Sequence, residues 1–296
     1  MADRHSSELP FLSGVGEIAD RYDGFILDLW GVLHNGVEPL PGALDALDRL
    51  RAAGKKVCLL SNAPRRCASV ATKLGAMGIT GDHYHHLMTS GEATHEALRD
   101  RPDGWHRALG RRCLHIGPPR DEDVFEGLDI EMVGAPAEAD FIVNTGIDDF
   151  SETVADYADV LSACAQRRLP MVCANPDLVV VVGTEMAICA GSLAAHYEDL
   201  GGDVRYHGKP HAPVYARCLD LLGIGDRRRI LAVGDSFRTD VAGANAAGID
   251  SLLVTSGIHL EELAKGWGET PDPARLAAAA QAAGHLPQAA VARFAW

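Results

Sequence analysis

The sequence predicts an α/β fold in which helices cover both faces of a parallel β-sheet. Two observations predict it. Short, continuous apolar runs alternate along the chain with longer segments of helical periodicity. The runs are apolar at successive positions, which is typical of strands buried on both faces of a parallel sheet rather than of strands with one face in water. The 296 residues, 47% of them apolar, suffice for one large domain or two ordinary ones.

The N-terminal third contains the first pairs of strand and helix. Residues 25–27 form an apolar run. Residues 40–53 carry leucines at positions 40, 44, 47 and 50, a spacing that predicts an amphipathic helix ending at Gly54. A second apolar run at residues 57–60 is followed by helical periodicity at residues 64–75.

The middle of the chain repeats this alternation. We predict that it forms a separate α/β unit, because the flanking residues already suffice for one sheet. The predicted domain limits are therefore 1–92, 93–192 and 193–296. The apolar run at residues 178–182 is predicted to be a buried strand, because it is too short to span a membrane. The other predicted elements are strands at residues 112–116, 139–143 and 171–174 and a helix at residues 154–167.

The C-terminal part returns to the first pattern. A helix is predicted at residues 213–222, and strands are predicted at residues 230–233 and 251–254. Between these strands lies a predicted helix of small residues at 241–247. The alanine-rich segment at residues 273–283 is predicted to be a surface helix.

Net charge and cysteine content narrow the range of partners and compartments. The chain has 27 basic and 41 acidic residues, a net charge of −14. The electrostatic field of a chain with this negative charge repels nucleic acid and anionic lipid, so we expect the protein to bind neither nucleic acid nor a membrane. Seven cysteines, an odd number without C-x-x-C spacing, indicate reduced thiols. Because residues 1–16 contain no apolar leader, we expect a cytoplasmic protein.

Polar residues follow three of the predicted strands at the point where each strand ends. Asp28 follows the first run, and Ser61 and Asn62 follow the second. Asp235 follows the run at residues 230–233, and Asp240 lies five residues after Asp235. Ligands of open parallel sheets bind at the carboxyl ends of the strands. Helix capping or turn formation would explain each residue alone, but the three coincidences together predict one functional site.

A fourth segment adds a positive charge. Lys209 lies in the sequence His207-Gly208-Lys209-Pro210, just before the predicted helix at residues 213–222. A single lysine is ordinarily a solvated surface charge. A lysine that joins two carboxylates and a serine at one sheet edge indicates a site for a phosphate group.

These four segments resemble, in the same order, the four motifs of the haloacid dehalogenase-like superfamily. The long interval between Ser61 and Lys209 resembles the branch that carries a large α/β cap between the second and third motifs, as do Asn175-Pro176-Asp177 and Pro41-Gly42-Ala43. The resemblance implies a Rossmann-like core, residues 1–92 and 193–296, with residues 93–192 as the cap. The matching segments are residues 28–32, 60–62, 208–210 and 234–240.

The resemblance implies a phosphatase and gives roles to the polar residues. Phosphatases of this branch act on sugar phosphates, p-nitrophenyl phosphate and pyridoxal phosphate, so a small phosphorylated metabolite is the implied substrate. Asp28 would be the nucleophile that attacks phosphorus and forms an aspartyl-phosphate. Ser61, Asn62 and Lys209 would bind the phosphate oxygens. Dimers are common in this branch, which makes a homodimer the corresponding expectation.

The resemblance also implies a magnesium ion. Its ligands would be the carboxylates of Asp28 and Asp235 and the main-chain carbonyl of Trp30, with waters completing the octahedron. Asp240 would act through water or from behind these ligands. Without a cation, three carboxylates would face an anionic substrate, so the metal is what makes such a site usable.

Position 30 departs from the family pattern. Phosphatases of this branch have a second aspartate there, which protonates the leaving oxygen and later activates water. Trp30 offers only an N–H donor and cannot transfer protons. We therefore expect alkyl phosphates to react more slowly than aryl phosphates. His34 is a candidate substitute acid, although an ordinary loop histidine is the simpler interpretation, and the same holds for His207 and His211.

Two other functions stay open at the level of sequence. Metal-independent 2-haloacid dehalogenases have an aromatic residue at the position of Trp30, and a halide leaves without a proton. Asp235 and Asp240 argue against this alternative, because a halocarboxylate site has little use for extra carboxylates. The second alternative is a regulatory protein that binds a phosphorylated ligand with weakened catalysis. The intact set of Asp28, Ser61 and Lys209 argues against it.

Overall fold

The chain is an α/β protein built on parallel sheets, as predicted. This computed structural model describes residues 9–182 and 185–296. The strands are β1 (Phe11–Leu12), β2 (Gly24–Leu27), β3 (Lys56–Ser61), β4 (His86–Thr89), β5 (Arg112–Ile116), β6 (Glu131–Val133), β7 (Phe141–Asn144), β8 (Met171–Cys173), β9 (Val179–Val182), β10 (Glu185–Ile188), β11 (Val204–Tyr206), β12 (Ile230–Gly234), β13 (Asp250–Val254) and β14 (Ala289–Val291).

Helices connect most of these strands. The α-helices are α1 (Gly16–Ala19), α2 (Ala43–Ala52), α3 (Cys67–Ala76), α4 (Ser90–Asp100), α5 (Gly104–Ala108), α6 (Ala158–Gln166), α7 (Ala190–Asp199), α8 (Ala212–Leu222), α9 (Ala242–Ala247), α10 (Leu260–Leu263) and α11 (Pro273–Ala283). Short 3₁₀ helices occur at Pro119–Phe125, Pro136–Glu138, Val154–Tyr157 and Arg227–Arg229, and a π-helical turn at Phe237–Val241.

The residues group into two compact units. The first contains the described part of Met1–Leu60 together with Leu74–Leu87 and Tyr215–Trp296, and the second contains Ser61–Lys73 and Met88–Val214. The division into domains at residues 92 and 192 stays a prediction.

The first unit is built on a sheet with the strand order β1-β14-β13-β12-β2-β3-β4. Strands β2 and β12 are neighbours and run parallel, with Leu27 beside Val233. Every residue of both strands is buried, because helices cover both faces of the sheet. Helix α11 was predicted as a surface helix, and it packs one face, including Leu276, on the core while its other face is exposed.

The second unit has its own five-stranded parallel sheet, in the order β11-β8-β7-β5-β6. Side chains of one strand alternate between two cores. On β7, Ile142 points into one core, while Phe141 and Val143 point into the other. Burial on both faces explains why these strands have continuous apolar sequences.

The run at residues 178–182 is the element for which the sequence prediction was wrong. It was predicted to be a buried strand, but Leu178 is exposed and residues 179–181 are half-buried. Strand β9 pairs antiparallel with β10, so these residues form a two-stranded hairpin instead of joining a parallel sheet. An apolar run alone does not reveal its partner strand, and the partner decides burial.

Among the described residues, no helix has the length and hydrophobicity that crossing a bilayer requires. All seven cysteines lie in the described ranges and are present as thiols.

Candidate active site

Three buried carboxylates lie together at the carboxyl end of two neighbouring strands. Asp28 follows β2 and Asp235 follows β12, and the N–H of Asp28 donates to the carbonyl of Val233 (2.9 Å). Because these parallel strands end side by side, their next residues emerge at the same edge. One carboxylate oxygen from each of Asp28, Asp235 and Asp240 lies within 4.8 Å of the other two. We call these three residues the carboxylate triad.

Backbone N–H groups hold two members of the triad in place. The N–H of Ile258 donates to Oδ2 of Asp235 (2.8 Å), and the N–H of Ser236 donates to Oδ2 of Asp240 (3.2 Å). Asp240 lies in the π-helical turn that follows β12, where the sequence predicted only a helix from residue 241. Such turns are frequent at functional sites because they redirect a side chain within a helix.

Glycines make room for the triad. A Cβ atom at Gly31 or Gly257 would overlap the carboxylate of Asp235, and a Cβ atom at Gly234 would overlap that of Asp240. Gly31 also has a φ of +76°, which other residues rarely adopt. Gly257 was not among the predicted site residues, because a glycine outside a motif carries no signal of which side chain will approach it.

The triad fits a divalent cation. Each carboxylate is at most 8% exposed, and like charges this close repel one another. Carboxylate oxygens are the ligands that magnesium prefers, and a bound cation would offset the repulsion. Within residues 9–182 and 185–296, this is the only group of three or more acidic, histidine or cysteine side chains arranged to hold a metal.

The second unit holds the other predicted residues, Ser61, Asn62 and Lys209. Ser61 is the last residue of β3, and its hydroxyl accepts a hydrogen bond from the N–H of Ala63 (3.2 Å). Lys209 is only 3% exposed. Such burial is rare for a lysine, because a buried charged group needs interaction partners.

The side chain of Asn62 joins Lys209 to two further residues. Its Oδ1 accepts from the N–H of Lys209 (2.7 Å) and from the hydroxyl of Ser90 (3.1 Å). Its Nδ2 donates to Asp177 (2.9 Å) and to the carbonyl of Lys209 (3.1 Å). Ser90, which directly follows β4, was not among the predicted site residues. The rule that pointed to Ser61 did not extend to Ser90, because no strand was predicted at residues 86–89.

The comparisons with known proteins agree with this architecture. Family models described as haloacid dehalogenase-like hydrolase and HAD-hydrolase-like match residues 25–131 and 206–284. A solved hydrolase of the haloacid dehalogenase-like family from Brucella suis 1330 is 35% identical, with a TM-score of 0.81 over 96% of this chain and 99% of that one. The chain belongs to the haloacid dehalogenase-like hydrolase family. The predicted family, fold class and status as an enzyme of the hydrolase class are thereby confirmed.

Two further relatives are named phosphatases. D-glycerol 3-phosphate phosphatase of Mycobacterium tuberculosis is 28% identical over 82% of this chain, which spans 65% of that protein's length. A solved glycerol phosphate phosphatase from the same organism, in complex with magnesium, is 26% identical, with a TM-score of 0.64 over 81% of this chain and 70% of that one.

Trp30 packs against its own turn. A Cβ atom at Gly36 would overlap the indole, so the ring lies directly over this glycine, and it meets the ring of His34 edge to face (5.7 Å between centroids). Nδ1 of His34 accepts a hydrogen bond from the N–H of Gly36 (2.9 Å). A protonated imidazole has no acceptor, so it would lose this bond. This contact argues against His34 as the substitute acid.

His207, which precedes the third family motif of this haloacid dehalogenase-like hydrolase, is held in its neutral form. Its Nε2 lies 3.2 Å from Nε2 of His106, whose Nδ1 contacts Asp103 (2.9 Å). Burial, with His106 and His211 nearby, lowers the pKa of His207 from 6.5 to about 3.

The depressed pKa of His207 predicts acid sensitivity. Between pH 6.5 and pH 3 the unfolded chain binds a proton at His207 that the folded chain does not, so the free energy of unfolding falls as the pH falls. At pH 5 this loss amounts to about 2 kcal/mol. Urea unfolding at pH 7 and pH 5 is expected to show a smaller decrease in His207→Gln than in the wild type. His285→Gln is the control, and an equal decrease in all three proteins would contradict the prediction.

Proposed function

We propose that this protein is a Mg²⁺-dependent phosphomonoester hydrolase that acts on a small phosphorylated metabolite through an aspartyl-phosphate on Asp28. The observation that carries the proposal is the buried carboxylate triad at the ends of β2 and β12. Asp28 directly follows β2 and lies in the segment that matches the family's first motif. The triad also argues against a metal-independent dehalogenase, because buried carboxylates would repel an anionic halocarboxylate.

The proposed reaction has two steps. In the first, a carboxylate oxygen of Asp28 forms a bond to phosphorus while the bond from phosphorus to the leaving oxygen breaks. In the second, the oxygen of a water molecule forms a bond to phosphorus while the bond from phosphorus to the Asp28 oxygen breaks, so that the Asp28 carboxylate is regenerated and orthophosphate leaves with the protons of the water. Magnesium, held by Asp28, Asp235 and the carbonyl of Trp30, would supply the positive charge that offsets the triad and the phosphate dianion. Asp240 would orient these ligands or their waters.

Ser61 and Lys209 are proposed to bind the phosphate oxygens. The hydroxyl of Ser61 offers a donor, and the ammonium of Lys209 offers a positive charge whose interaction is strong because the residue is buried. The amide of Asn62 was predicted to do the same, but its hydrogen bonds within the protein leave it little capacity for a substrate.

The names of the relatives supply the substrates to try first. Glycerol phosphate belongs in a panel of phosphorylated polyols, sugars, nucleotides and pyridoxal phosphate, because the curated relative and the solved structure from Mycobacterium tuberculosis both carry it in their names. The cytoplasm is the proposed location, in keeping with seven thiols, and a homodimer is the assembly proposed by analogy with the branch.

The test is hydrolysis of p-nitrophenyl phosphate by the purified protein. We expect release of p-nitrophenolate with Mg²⁺, loss of the activity in EDTA, and recovery when excess Mg²⁺ is added back. Activity that persists undiminished in EDTA would overturn the metal assignment. Chloride release from 2-chloropropionate would favour the dehalogenase. Absence of turnover on the whole panel, combined with a Tm raised by a phosphorylated ligand, would favour the binding protein.

A further inference from the structure

We infer that Asn62 is a positioning residue that fixes the backbone of Lys209, and that it does not bind the phosphate group itself. The inference rests on the proposed function in one respect, namely that the group recognised by Lys209 is a phosphate. It assigns Asn62 a different role from the one that the sequence suggested.

The first argument is the hydrogen-bonding capacity of the amide. An asparagine side chain has two N–H donors and an oxygen with two acceptor positions. In Asn62 both donors are used, by Asp177 and by the carbonyl of Lys209, and the oxygen accepts twice, from Ser90 and from the N–H of Lys209. The partners also fix the orientation of the amide, since a flipped amide would point N–H groups at a backbone N–H. A phosphate oxygen could be bound only by breaking one of these bonds.

The second argument concerns the atoms of Lys209 to which Asn62 is hydrogen-bonded. Asn62 holds both polar backbone atoms of Lys209, its N–H at 2.7 Å and its carbonyl at 3.1 Å. Fixing both ends of the residue's backbone fixes the direction in which its side chain leaves the chain. For a buried lysine that must meet phosphate oxygens, an error of about 1 Å can cost about 10²-fold in rate.

The third argument is that Gly208, next to Lys209, leaves the space in which Asn62 makes these hydrogen bonds. Gly208 has a φ of +124°, and a Cβ atom there would overlap the hydroxyl of Ser90 and Oδ1 of Asn62. Only glycine lets the backbone of the third motif approach the amide so closely.

Ser90 and Asp177, the two residues that bind Asn62 besides Lys209, are themselves next to or part of backbone hydrogen bonds. Ser90 is the first residue of α4, and the N–H of the next residue, Gly91, donates to the carbonyl of Ala63 beside Asn62 (3.0 Å). The carbonyl of Asp177 accepts from the N–H of Gly191 in α7 (3.1 Å). Asn62 is therefore held by parts of the chain that do not depend on a bound substrate, as a positioning residue requires.

A double-mutant cycle tests the inference. The variants are Asn62→Ala, Lys209→Met and the double variant, and the measurements are kcat/KM for p-nitrophenyl phosphate and Kd for orthophosphate. Each single variant is expected to lose about 10²-fold in kcat/KM. If Asn62 acts through Lys209, the double variant is expected to be within about threefold of Lys209→Met, because the lysine is already gone. Losses that multiply in the double variant would mean that Asn62 contacts phosphate directly and would overturn the inference.

A milder variant keeps the test valid if Asn62→Ala folds poorly. Ser90→Ala removes one bond to Asn62 and is expected to lower kcat/KM about threefold to tenfold, again without further loss in the Lys209→Met background. Ser251→Ala is the matched control, since this buried serine has no hydrogen-bond partner for its hydroxyl among the described residues, and it should leave kcat/KM unchanged. A loss in Ser90→Ala that multiplies with the loss in Lys209→Met would count against the inference.

The same experiment separates the inference from the proposed function. If the wild type does not hydrolyse p-nitrophenyl phosphate, the proposed function fails, and the cycle on Kd for orthophosphate still decides the role of Asn62. If the wild type also binds no orthophosphate, both the function and the inference are overturned.

Discussion

Asp28→Asn is expected to lower kcat for p-nitrophenyl phosphate by about 10⁴-fold or more, because an amide cannot form the aspartyl-phosphate. Binding of orthophosphate in the presence of Mg²⁺ is expected to persist, since an amide oxygen still offers a metal ligand. Steady-state kinetics and calorimetry on the same preparation measure the two quantities. A variant that keeps turnover within tenfold of the wild type would remove Asp28 from the role of nucleophile.

The stability of the same variant provides an internal control. Three carboxylates, each with an oxygen within 4.8 Å of an oxygen of the other two, repel one another, so removing one charge is expected to raise, or at least not lower, the Tm in EDTA. A catalytic loss accompanied by a lower Tm would instead indicate unfolding. Asp220→Asn, an exposed change of the same kind on α8, is expected to alter neither the activity nor the Tm.

Trp30→Asp is expected to accelerate hydrolysis of alkyl phosphates by about 10²- to 10⁴-fold, which is what general acid catalysis contributes. Aryl phosphates are expected to change little, because p-nitrophenolate leaves without a proton. The ratio of kcat/KM for p-nitrophenyl phosphate to that for glycerol phosphate is the measurement. In the wild type this ratio is expected to be large, because the indole cannot protonate an alkoxide.

Trp30→Asn is the matched control for this prediction. It removes the same packing of the indole on Gly36 but supplies no acid. If Trp30→Asn accelerates alkyl phosphates as strongly as Trp30→Asp does, the gain comes from space rather than from proton transfer. If the wild type hydrolyses both classes equally well, another group supplies the proton, and His34→Ala is the first variant to examine despite the hydrogen bond from Gly36.

Strand positions in the first unit were predictable because burial there is uniform. The runs at residues 25–27 and 230–233 became β2 and β12 with limits shifted by at most one residue at either end. Both strands are covered on both faces, so their sequences carry a continuous apolar signal. The run at residues 178–182 carries a similar signal but forms a two-stranded hairpin in which Leu178 is exposed, because its partner is the antiparallel strand β10 and not a strand of a parallel sheet. An apolar run does not reveal which strand it will pair with.

The sequence by itself identified the chemical groups of the proposed site. The motifs that contain Asp28, Asp235 and Lys209 can be recognised from their order and residue types alone, because strand ends and turns are local features of the chain. The tertiary structure alone decided how those groups are held. The contact of Asn62 with Lys209 joins residues far apart in sequence, and the room that Gly257 leaves for Asp235 exists only once distant segments pack. Hydrogen bonds and close approaches of this kind depend on distances of a few ångströms, which residue identity and spacing do not encode.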